Sequence, residues 1–63
     1  MMDAFEVLVQ ELDEKVKQLQ EFLAEGRAES YDEYKKVCGE IRGLLLARGS
    51  TLDLKHRMEN ADE

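Results

Sequence analysis

Apolar residues recur at steps of three and four through the first third of the chain. Phe5, Leu8, Val9, Leu12, Val16, Leu19, Phe22 and Leu23 fall on one stripe when wound at 100° per residue. The spacing predicts an amphipathic helix over 3–25, with its stripe facing a core. Asp3 is the expected N-cap, and Glu6 three residues on completes a capping-box pattern. Gly26 is the expected stop, because glycine tolerates the left-handed conformation that follows a last helical turn.

Arg27, Ala28 and Glu29 then form a link too short for anything but an antiparallel return. A second helix is predicted over 30–48. Ser30 and Glu33 make a second capping box, and Asp32 with Glu33 complements the positive end of the helix dipole. Its predicted core stripe is Tyr34, Val37, Cys38, Ile41, Leu44, Leu45 and the stem of Arg48. Gly49 is the expected end. Ser50 or Thr51 then caps a short third helix over 51–60, on which Leu54, Met58 and Ala61 share a weak face. The fold class that follows is all-α: an antiparallel two-helix hairpin with a short C-terminal helix, forming a single domain over residues 1–63.

The back of the second helix is the more informative side. Gly39 and Gly43 lie four residues apart, about 160° from Ile41 on the wheel, with Leu46 beside them. Each glycine costs a helix about 1 kcal/mol relative to alanine. Two on one face, next to an exposed leucine, suggest a surface that another backbone approaches closely. The alternative is a solvated face on which glycine is merely tolerated. Tyr31, at the helix start, either covers the rim of the hairpin core or anchors a partner. Leu52 and Met58 join Gly39, Gly43, Leu46 and Tyr31 as candidate partner-binding residues.

Size adds weight to an assembly reading. A chain of 63 residues buries little of its surface when folded alone, and small domains need a staple or a second chain. Cys38 is the single cysteine, so no internal disulfide forms. With His56 it makes half a zinc site at most, so no metal and no cofactor is expected. Cys38 reads as a structural thiol within the stripe, and His56 as an exposed, inert side chain. Oligomerisation, or docking on a larger protein, is the remaining route.

The net charge is −6, which argues against nucleic acid and against an anionic membrane surface as partners. Acidic side chains alternate with lysine and arginine along both helices, as on an ordinary solvated face. A small acidic regulator that inhibits a host protein by charge mimicry is nevertheless the alternative function. No apolar run approaches the length of a membrane span, and the N-terminus lacks the basic n-region of a signal peptide. A soluble, cytoplasmic protein is expected. No enzyme is expected either. Adjacent carboxylates such as Asp13–Glu14 point about 100° apart on a helix and cannot flank one substrate atom.

The block Tyr34-Lys35-Lys36-Val37-Cys38-Gly39-Glu40-Ile41-Arg42-Gly43-Leu44 resembles a Y-x-x-x-C-G-x-I-x-G-L block of short helical proteins encoded by tailed bacteriophages. It covers about a sixth of the chain. The resemblance implies a virion or assembly role, in the host cytoplasm or the virion, and carries over no catalytic residue. Together the pattern and the resemblance lead to a non-catalytic helical subunit for protein–protein interaction, expected as a homo-oligomer.

Overall fold

The computed structural model describes residues 1–61. Two helices account for the fold: α1, Ala4–Ala24, and α2, Tyr31–Glu59. No strand occurs among the described residues.

Both helix starts follow from their capping residues. Asp3 is extended and its Oδ1 accepts the Glu6 N–H at 2.8 Å. Ser30 is extended likewise, and its Oγ accepts the Glu33 N–H at 3.1 Å. Glu33 reaches back to accept the Glu29 N–H at 3.3 Å, one residue before the cap itself. Gly26 sits at φ 71°, in the left-handed region, as its place after a helix end requires. The Arg27 N–H returns to the Phe22 carbonyl at 3.2 Å and the Gly26 N–H to Leu23 at 3.0 Å, which is the Schellman pairing. The Arg27 guanidinium then lies 5.4 Å from the centre of the Phe22 ring, closing the turn over an aromatic face.

The two helices pack antiparallel in a heptad register. Arg48 Nε meets Asp13 Oδ1 at 2.7 Å, and Lys55 Nζ meets Glu6 Oε1 at 2.8 Å. Seven residues earlier on α1 therefore faces seven residues later on α2. The seam of α1 is Phe5, Val9, Leu12, Val16, Leu19 and Leu23, all buried or half-buried. That of α2 is Val37, Ile41, Leu44, Arg48, Thr51 and Lys55. Both run in alternating steps of four and three, the spacing that keeps two helices in contact along their length.

Three expectations require correction. The second helix does not end at 48, and no separate third helix spans 51–60: α2 runs unbroken to Glu59. Gly49 keeps a helical conformation, since Gly26 is the only glycine with positive φ. Thr51 caps nothing; it is buried in the seam and its hydroxyl donates to the Ala47 carbonyl at 2.8 Å. The chain continues as helix because the seam continues, with Arg48, Thr51 and Lys55 each finding a partner on α1 or in the preceding turn. Leu8, Tyr34 and Leu45, expected in the core, are 43%, 45% and 48% exposed. A single neighbouring helix covers only a narrow strip, and Leu8 and Leu45 lie on its margins, whereas Tyr34 falls in the seam register but past the end of α1.

The result is long and thin. The principal extents are 51 × 22 × 11 Å, and the radius of gyration is 15.0 Å. A compact domain of this length would have about 11 Å. Val16 and Val37 are the only buried apolar residues among those described, and no large side chain is fully enclosed.

Candidate interaction surface

One flank of α2 carries a second row of side chains. Tyr31, Cys38, Leu45 and Leu52 recur every seven residues beside the seam. Any set spaced by seven stays on one side of a helix that is itself packed in heptads. Tyr31 is 71% exposed, Leu45 48% and Leu52 39%, while Cys38 is half-buried. Tyr34, seven residues before Ile41, continues the seam register past the end of α1, and its ring leans onto this flank. Its ring stacks on Tyr31 with centroids 6.2 Å apart and planes at 28°. Lys35 Nζ sits 6.0 Å from the Tyr31 ring centre. The neighbouring Cys38 thiol raises the Tyr34 phenol above the ordinary tyrosine value, so the hydroxyl stays protonated well beyond neutrality. The helix start thus presents two stacked aromatic rings next to a leucine row.

The six candidate residues do not form one patch. Tyr31 and Leu52 lie on the tyrosine–leucine flank. Leu46, 65% exposed, lies further round, and Gly39 continues from it onto the back of α2. Gly43 turns towards the opposite flank, where it borders a surface hollow with Glu40 and Leu44 of α2 and Lys15, Gln18 and Leu19 of α1. Met58, 58% exposed, follows Thr51 by seven residues and so continues the seam to its open end, opposite the residue before α1 begins. The glycines are bare. A Cβ added at Gly39, Gly43 or Gly49 would meet nothing within 4 Å. Space for a close-approaching backbone is therefore present at each, and within the single chain that space is unused.

Leu8, Tyr34 and Leu45 are the residues that periodicity alone misassigned. Tyr34 and Leu45 fit the 100° stripe around Ile41, and Leu8 that of α1, which is why they read as core. The seven-residue recurrence of Tyr31, Cys38, Leu45 and Leu52 was the available sign of a second row.

Charge is divided unevenly between the helices. Across α1 five carboxylates face two lysines, whereas α2 carries six lysine and arginine side chains against five carboxylates. α1 is thus the net acidic helix of the pair, and the apolar row lies on a helix close to neutral. No group of three or more His, Cys, Asp or Glu side chains among the described residues is placed to hold a metal ion. Neither helix among the described residues is long and apolar enough to cross a membrane. Compared with known proteins, the chain matches no family model, no curated protein and no solved structure.

Proposed function

We propose that this chain is a non-catalytic helical interaction subunit that associates with a second copy of itself through the outer flank of α2. The observation that carries the reading is the amount of surface left open. The chain exposes 5129 Å². A folded monomer of 7.3 kDa is expected to expose about 4,200 Å². The excess, roughly 900 Å², is close to the ~800 Å² that one partner contributes to an ordinary protein–protein interface. Tyr31, Tyr34, Leu45, Leu46 and Leu52 supply apolar area on a helix with little net charge, so two copies of this flank meet without strong repulsion. The acidic polar side of α1 then stays in water.

The resemblance of residues 34–44 to a block of phage-encoded helical proteins supports placing such a subunit in a bacteriophage virion or its assembly, within the host cytoplasm or the particle. The concentration of carboxylates on α1 favours a second reading, a regulator that mimics an acidic ligand and binds a basic host protein.

Sedimentation at micromolar concentration separates them. Self-association gives a mass above one chain of 7.3 kDa. It persists in moderate salt, and Leu45→Glu or Leu46→Glu abolishes it. A mimic sediments as one chain and binds a basic partner that is released steeply as salt rises. A wild-type chain that is fully helical and monomeric at high concentration overturns the self-association reading.

A further inference from the structure

The seam changes character half-way along the hairpin. Near the loop both helices contribute apolar side chains, Val16, Leu19 and Leu23 against Val37, Ile41 and Leu44. Towards the open end α1 continues with Phe5, Val9 and Leu12, but α2 answers with Arg48, Thr51 and Lys55. Those seam positions are where a two-helix coiled coil gains most from apolar residues, and polar ones there cost stability.

Charge holds this half instead. Lys55 Nζ lies 2.8 Å from Glu6 Oε1 and 3.4 Å from Asp3 Oδ2, with only 21% of its side chain exposed. Arg48 Nε lies 2.7 Å from Asp13 Oδ1. The carboxylates are open to water: the side chains of Asp3, Glu6 and Asp13 are 48%, 44% and 49% exposed. Exposed pairs of this kind contribute modestly, about 0–1 kcal/mol each, and are screened by salt. Apolar packing near the loop is insensitive to that screening. We infer that residues 48–59 of α2 form a clasp that opens separately from the rest of the hairpin, and that its release uncovers the apolar stripe Phe5, Val9 and Leu12 of α1. The Asp3 carboxylate caps α1 and also receives Lys55, so clasp and helix start are one unit. This inference rests on the cross-helix pairs and is independent of the outer flank of α2.

Hydrogen exchange read by mass spectrometry tests it, at about 0.01 M and about 1 M NaCl, where the Debye length falls from ~30 to ~3 Å. Amides over 52–59 should exchange about three- to tenfold faster at high salt, while those over 37–45 change less than about twofold. In R48M/K55M, which replaces both charges with apolar stems, the salt response over 52–59 should vanish and exchange should slow. A second set guards against misfolding of that variant. K55E should lose protection over 52–59, and D3N/E6K/K55E, which reverses the pair while keeping an N-cap, should recover it. The clasp is overturned if both halves of α2 respond to salt alike. It is overturned equally if R48M/K55M keeps the wild-type response, or if the reversed pair restores nothing.

Discussion

Ser30 illustrates how much a single side chain does at this size. Its hydroxyl takes one of the four N–H groups that the start of α2 leaves unpaired, and it fixes where the chain turns back. Ser30→Ala should lower stability by about 1 kcal/mol in urea unfolding, with Ser30→Asp close to wild type. Val16 and Val37 are the buried apolar core among the described residues, so either one shortened to alanine should cost about 1.5–3 kcal/mol, a large share of what a chain this short possesses. Asp3 and Lys55 set the pH behaviour. The Asp3 carboxyl is held below its ordinary value of 3.8, first by the Glu6 N–H it accepts and then by the Lys55 ammonium. The stability it contributes is present above that value and is lost as pH falls through the lower, folded one. Lys55 is raised above 10.5, first by its hydrogen bond to Glu6 and then by Asp3. Its contribution is present below 10.5 and is lost as pH rises through the higher, folded value. Helicity followed by circular dichroism should therefore fall on the acid side below about pH 4. Asp3→Asn, which keeps the cap, should flatten that acid limb.

At the scale of the element, the glycines divide by conformation. Gly26 alone has positive φ, so Gly26→Ala should destabilise the hairpin by about 1 kcal/mol. Gly49 is helical with open space where a Cβ would stand, so Gly49→Ala should stabilise it by about 0.5–1 kcal/mol. Gly39→Ala and Gly43→Ala should do the same to the isolated chain. If another backbone rests on those glycines, the two substitutions should also weaken association in sedimentation, which Gly49→Ala separates from any general gain in helix propensity. The extent of α1 and the start of α2 were legible in the pattern because caps, a stop glycine and an apolar stripe all agreed. The length of α2 was not. Gly49 and Ser50 resemble a helix end, and what carries the helix past them is contact with α1 by Arg48 and Lys55, whose partners lie 35 and 49 residues away in sequence.

For the whole molecule, shape decides what kind of stability is possible. A slab 11 Å thick is a single layer of helix and encloses nothing. Its thermal midpoint should rise with chain concentration if two copies complete each other, since association then stabilises the folded state by mass action. Leu45→Glu should remove that concentration dependence while leaving the seam, and the cross-helix pairs of Arg48 and Lys55, in place. A midpoint that is constant over a hundredfold dilution range would sink the dimer and leave the hairpin to stand by itself.

The order of polar and apolar side chains along the chain by itself determined that the fold is helical, where α1 and α2 begin, where the first stops and that they return antiparallel. Those features depend on groups within a few residues of one another, and local spacing records them. Only the tertiary arrangement decided that α2 continues through Gly49, that Leu8 and Leu45 lie beside the seam rather than in it, and that Tyr34 stands past the end of α1. A single partner helix covers a narrower strip than the stripe written into the sequence. Which margin of that stripe stays uncovered depends on the register of the neighbouring helix, and no local pattern carries that register.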